Sequence, residues 1–204
     1  MENLNDSGIS EIRGRYSGLG IAVADKQIEL LNRYISLLRQ YSDRLKLVSK
    51  KDIDTIFENH ILDSLDVLFV MEKYLDNDYS FHSLNAEVTL LDVGSGGGLP
   101  GIPLAIVLPD SQVTLLERAS RKFRFLEMVK RKLNLQNLAV IQADYQEFIR
   151  NFPNNYKFKL FRGTMSFQKA VDISIKYTNR DTILIYYNKR TGSIDERYHV
   201  YAKK

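Results

Sequence analysis

The chain has 204 residues, 44% of them hydrophobic and 26% charged, which is the balance of a soluble globular domain with a sizeable core. It contains no cysteine, which excludes disulfides and thiolate metal sites and fits a reducing cytoplasm. No apolar run reaches the length of a membrane span, and the polar start of the chain lacks the parts of a secretory signal, so a cytoplasmic location is expected. The net charge of +4 excludes little, but its distribution is uneven. Arg118, Arg121, Lys122, Arg124, Lys130, Arg131 and Lys132 face only Glu117 and Glu127 over one stretch, and Arg44, Lys46, Lys50 and Lys51 form a second group. Such clusters can neutralise phosphates, although a basic run more often ends as a solvated face.

The first 25 residues carry four glycines among polar residues and read as loosely ordered. From 26 to 44, Ile28, Leu31, Ile35 and Leu38 recur at helical spacing, and a second helical pattern runs from 52 to 74. These form a helical extension over residues 1–85, ahead of a core over 86–204, within one compact domain. His60 and Asp63 lie three apart on the second helix and are expected to hold neighbouring helices. Strands are expected at 89–93, 113–116, 138–142, 158–161 and 182–187, with an edge strand at 197–202. Helices are expected between them at 102–107, 120–133 and 167–177. That alternation predicts an α/β fold with a doubly wound, mostly parallel sheet. Phe123, Phe125 and Phe148 read as core, and the three histidines show no metal spacing, so no metal site is expected.

Asp92-Val-Gly94-Ser-Gly96-Gly-Gly98 follows the first strand directly. Glycines at the carboxyl end of such a strand let a ligand approach the backbone closely. Gly96, Gly98 and Gly101 also satisfy the dinucleotide spacing G-x-G-x-x-G, but two residues out of register with the strand. The match in register is the pattern of S-adenosylmethionine sites, which makes Gly94, Gly96 and Gly98 cofactor candidates. Glu117 ends the second strand, where a carboxylate can accept hydrogen bonds from both ribose hydroxyls. Asp144, Tyr145 and Gln146 follow the third strand, where this fold holds an adenine, and Tyr145 could stack on it.

Gly94-Ser-Gly-Gly-Gly-Leu-Pro-Gly-Ile-Pro103 resembles the loop of the RsmG (GidB) methyltransferases. Asn59-His-Ile-Leu-Asp-Ser64, Leu115-Leu-Glu-Arg118 and Gln142-Ala-Asp-Tyr-Gln-Glu-Phe148 agree with it, as do Arg162, Lys189 and Glu196-Arg197. The resemblance implies a class I Rossmann-like methyltransferase that methylates guanine N7 in 16S ribosomal RNA. It also implies S-adenosyl-L-methionine contacts at Gly94, Leu99, Tyr145, Gln146 and Arg162. Guanine N7 needs no general base, so no catalytic residue is assigned, and Arg162 and Arg197 are candidates to position the base through its O6 edge. The implied partner is 16S ribosomal RNA or a small-subunit assembly intermediate, and a monomer is expected. Two alternatives stay open: a methyltransferase of this fold with a small-molecule or protein substrate, and a non-catalytic rRNA-binding assembly protein. The chain departs from the family at Lys46-Leu-Val-Ser49, where Asn-Leu-Thr-Ser is usual, and at Arg162-Gly-Thr-Met165, where Arg-Ala-Phe-Ala is usual. The stretch between Lys189 and Glu196 is also shorter than in typical members.

Overall fold

Residues 4–75, 88–152, 156–178, 181–188 and 193–202 are described by a computed structural model. The chain begins with a helix that the four glycines obscure. Asn5 caps it by accepting a hydrogen bond from the Gly8 N–H, and α1 (Asp6–Ser17) buries Ile12 and Tyr16, one turn apart. Gly8 is needed there because a Cβ would come within 3.2 Å of the Phe57 ring.

Helix α2 (Asp25–Leu45) follows the predicted stripe, burying Ile28, Leu31, Tyr34, Ile35 and Leu38. It ends at Lys46, which adopts the left-handed conformation (φ 53°, ψ 51°).

The single helix expected over 52–74 is broken into four pieces. A 3₁₀ turn (Lys50–Asp52) leads to a π-helix (Phe57–Leu62), then α3 (Asp63–Leu65) and α4 (Val67–Glu72). Residues 60–68 are buried on every side, so no single stripe fixes their winding. The wider π turn re-aims His60, Asp63 and Ser64 towards the sheet.

The remaining elements alternate as predicted: β1 (Thr89–Val93), α5 (Gly101–Val107), β2 (Gln112–Leu116), α6 (Ser120–Leu133), β3 (Leu138–Ile141) and α7 (Tyr145–Asn151). They continue through β4 (Phe158–Arg162), α8 (Phe167–Ser174), β5 (Ile183–Tyr187), α9 (Ile194–Arg197) and β6 (Tyr198–Ala202). Helices α7 and α9 are additions to the expected alternation. Asp144 caps α7, and Tyr145, Phe148 and Ile149 form its buried face.

The strands form one sheet in the order β3-β2-β1-β4-β5-β6, parallel throughout except for β6, which pairs antiparallel with β5. Alternate residues of each strand serve two cores. Leu90, Leu115, Phe158 and Leu160 pack with α1, α2, α5 and α6, so the helical extension and that face of the sheet share one core. Leu91, Val93 and Phe161 pack with α7 and α8 on the other face. Strand order reverses between β1 and β4, which opens a crevice beyond their carboxyl ends, where ligands of such sheets bind. Among the described residues, no helix is long and apolar enough to cross a membrane.

Candidate functional site

The glycine loop emerges from β1 into that crevice. Gly94, Gly96 and Gly98 all have positive φ (69°, 58° and 94°), which curls the backbone into a cradle that L-residues rarely adopt. Their free sides face different things. A Cβ on Gly98 would meet Ile102 at 2.3 Å, so Gly98 serves helix packing. A Cβ on Gly94 would meet the Thr164 methyl at 2.3 Å, so this glycine makes room for the loop after β4. Gly96 alone of the three meets no steric conflict, with the Gly94 carbonyl oxygen 3.8 Å and the Lys122 ammonium 4.0 Å from its Cβ position. The peptide at Gly97 is fixed from behind, where the Tyr34 hydroxyl donates to its carbonyl at 2.9 Å. Leu99 is buried in the core beside a cis peptide to Pro100, so its side chain is committed to packing.

Two buried carboxylates hold the cradle. Asp92 accepts from the Gly101 N–H through Oδ2 at 3.1 Å, and its buried Oδ1 has no hydrogen-bond partner. Burial pushes the Asp92 carboxyl up to about 7, against the opposing hydrogen bond from the Gly101 N–H. Glu117 accepts from the Gly96 N–H at 2.9 Å and from the Ala119 N–H at 2.7 Å. Each carboxylate oxygen has a second lone pair, so this arrangement leaves Glu117 the acceptor capacity that a ribose diol requires.

The two candidate positioning arginines have different fates. Arg162, the last residue of β4, reaches into the π turn. It donates to the Ser64 hydroxyl (3.0 Å) and the Asn59 carbonyl (3.4 Å), contacts His60 Nδ1 (3.2 Å) and pairs with Asp63 (2.7 Å). A guanidinium only donates, so His60 accepts here through Nδ1. These contacts use one Nη1–H and the Nη2–H groups of Arg162, and its guanidinium lies over the Tyr187 ring at 5.5 Å. Arg197 is buried and committed. It binds Asp66 at 2.5 Å and Asp63 at 3.5 Å, and Arg15 grips the other side of Asp66 through two bonds of 2.8 Å. The expectation that Arg197 reads guanine is therefore corrected. Arg197 lies at the α9–β6 junction, buried against Asp63 and Asp66 at the starts of α3 and α4. His60 and Asp63 both contact Arg162 at the end of β4, His60 also lies 3.6 Å from Asp52 of the 3₁₀ turn, and Asp63 reaches Arg197 of α9.

The expectation that Tyr145 offers its ring to an adenine is also corrected. As the first residue of α7 it turns inwards, bonding Ser174 Oγ at 2.6 Å and meeting Phe161 edge-on at 5.3 Å. Burial pushes its hydroxyl up to about 12. Asp144 spends one oxygen capping the Gln146 N–H, and both residues are exposed beside Tyr145. Lys189 lies outside the described residues. Among the described residues, no group of three His, Asp or Glu side chains could hold a metal ion.

Thr164, Lys122 and the Tyr34 hydroxyl were not singled out as site residues from the sequence. Lys122 carried a signal in the basic run, whereas Tyr34 joins the loop across 63 residues of sequence.

The sequence profile of the family described as rRNA small subunit methyltransferase G (GidB) matches residues 27–199. Ribosomal RNA small subunit methyltransferase G of Pseudomonas fluorescens is 42% identical over 130 residues, covering 64% of this chain and 54% of that protein. The protein of the same name from Stutzerimonas stutzeri is 38% identical, covering 72% and 63%. This chain thus spans less than two thirds of the length of those relatives. Among solved structures, a candidate methylase from Haemophilus influenzae superposes with a TM-score of 0.50 at 14% identity, covering 67% of this chain and 88% of that one. A Corynebacterium glutamicum protein superposes at 0.52 with 11% identity, covering 87% and 73%. Together with the strand order, these likenesses show the class I Rossmann-like methyltransferase fold.

Proposed function

The chain belongs to the GidB family of rRNA small subunit methyltransferases G, and from that premise we propose that it methylates N7 of a guanine in 16S ribosomal RNA with S-adenosylmethionine as donor. The observation that carries the cofactor half is the cradle at Gly94–Gly96. It is curled by positive φ, free of steric conflict at Gly96, flanked by Lys122 and Glu117, and backed by the unpartnered Oδ1 of Asp92. Lys122 suits the carboxylate at the methionine end, and Glu117 suits the ribose hydroxyls. The exposed Asp144–Gln146 edge takes the adenine without a stacking ring from Tyr145.

When bound, S-adenosylmethionine supplies an electrophilic sulfonium methyl. The chain's own residues need only orient the acceptor and exclude water, because guanine N7 carries an in-plane lone pair and no proton. Arg162 is held rigidly from behind by Asp63, Ser64 and His60. Its guanidinium suits the O6 edge of a guanine. One methyl moves to N7, leaving a neutral thioether and a cationic 7-methylguanine. All these contacts come from one chain, so a monomer suffices, acting in the cytoplasm on 16S ribosomal RNA or a small-subunit assembly intermediate.

Calorimetric titration tests the cofactor half. S-adenosylmethionine and its demethylated product are expected to bind the purified protein with one-to-one stoichiometry. No heat at millimolar ligand would defeat both enzymatic readings and leave a non-catalytic rRNA-binding role.

A further inference from the structure

We propose that the exposed cations of α6, leaving aside Lys122, which faces the glycine loop, and continued by Arg44 and Lys46 at the end of α2, form the track for the phosphate backbone of the RNA, with Lys46 as its contact nearest that loop. The proposal rests on the methyl-transfer reading above and adds where on this chain the RNA lies. Arg118, Arg121, Arg124, Arg131 and Lys132 are exposed, and Lys122 and Lys130 partly so. Among the described residues, none of the seven makes an ion pair, and the adjacent Glu117 is turned inwards onto backbone N–H groups. Some exposed cations elsewhere find carboxylates, as Arg13 does with Asp25, Arg15 with Glu11, Arg33 with Glu29 and Lys50 with Asp43. What sets this stretch apart is the density of cations on one helix, with Glu127 the one carboxylate among them that is not turned onto backbone N–H groups.

The two helices place the charges in line. Arg33 near the start of α2 donates to the Lys132 carbonyl at the end of α6, and Tyr41 meets Phe125 at 5.6 Å further along. The helices therefore run antiparallel, with the end of α2 beside the start of α6. Leu47 lies 3.3 Å from the Cβ position of Gly97, which brings Lys46 next to the loop. The row then extends along α6 for roughly 20 Å.

Lys46 carries a second mark. It occupies a left-handed conformation that costs an ordinary L-residue about 1–2 kcal/mol and that asparagine tolerates better. Helix α6 ends in the same conformation with Asn134. A lysine gains about 0.3–1 kcal/mol from the helix C-terminus, which does not by itself outweigh the backbone cost. An ammonium beside the crevice gives the position a use that asparagine lacks.

The test is fluorescence-anisotropy binding of a 16S ribosomal RNA fragment across a salt series, with S-adenosylmethionine calorimetry on the same samples. Lys46→Asn is expected to keep or raise the melting temperature while lowering RNA affinity. The slope of log affinity against log salt should flatten by roughly 0.7–0.9. Combining Lys46→Asn with Arg121→Gln, Arg124→Gln and Arg131→Gln should weaken binding at least roughly tenfold and flatten the slope further, with cofactor binding intact. An unchanged affinity and slope in the fourfold variant would overturn the track while leaving the methyl-transfer reading standing. Absence of salt-dependent RNA binding by the unaltered protein, with cofactor still bound, would overturn the RNA reading and the track together.

Discussion

Arg162 at the end of β4 and Asp63 at the start of α3 meet at 2.7 Å, and this pair fastens the helical extension to the sheet beside the glycine loop. Asp63 also faces Arg197 of α9 at 3.5 Å, so one carboxylate serves two arginines that arrive from different elements. Asp63→Ala would leave Arg162 without its counter-charge, while Arg197 keeps Asp66. Removing one partner of a buried pair costs about 3–5 kcal/mol. Urea unfolding should show a loss of that order, and a loss below about 1 kcal/mol would mean that the pair is dispensable.

Two aspartates make stability depend on pH in opposite ways. Burial alone would raise the Asp66 carboxyl, but hydrogen bonds from Arg15 and Arg197 outweigh it and hold the carboxyl below its usual value of 3.8. Its contribution is present above that value and is lost as pH falls through the lower folded value. Asp92 is raised to about 7, so the folded state keeps a proton that the unfolded chain releases near 3.8. Its contribution is full below 3.8 and is lost as pH rises towards 7, by roughly 4 kcal/mol at most. Chemical denaturation between pH 4 and 8 should show this decline in the ligand-free protein, and Asp92→Asn should flatten it. An unchanged pH profile in that variant would assign the decline elsewhere.

The glycines separate folding from binding. Gly94→Ala meets the Thr164 methyl and a left-handed backbone, so it should destabilise by about 1–3 kcal/mol, as overpacking does. Gly96→Ala meets nothing closer than 3.8 Å, and its backbone cost is about 1–2 kcal/mol. Gly96→Ala should therefore fold and yet lose most of its affinity for S-adenosylmethionine in calorimetry. Parental affinity in that variant would place the ligand away from Gly96.

Tyr145→Phe removes only the hydroxyl that meets Ser174. It should cost about 1 kcal/mol of stability and leave cofactor affinity unchanged. A large loss of affinity at parental stability would return Tyr145 to the binding site.

The sheet was legible because its strands are short β-rich runs separated by amphipathic helices, and the glycine loop was legible because it follows β1 in register. The breaks in the predicted helix over 52–74 were not, because a segment buried on all sides has no periodic stripe to betray a π turn. Helix α1 was hidden by Gly8 and Gly14, although Asn5 and the spacing of Ile12 and Tyr16 marked it. Motif resemblance drew attention to Arg197 and Tyr145, but their buried partners lay beyond its reach. The Arg197–Asp66 contact spans 131 residues, and the turn of Tyr145 into the core follows from α7, which local spacing did not reveal.

The central claim is methyl transfer to guanine N7 of 16S ribosomal RNA, and it is tested most directly by product analysis. The purified protein is incubated with unmodified 16S transcript and isotopically labelled S-adenosylmethionine, and the RNA is digested to nucleosides for mass spectrometry. The account predicts labelled 7-methylguanosine at a single position. Label in another nucleoside, or none in RNA from a protein that binds the cofactor, would contradict it.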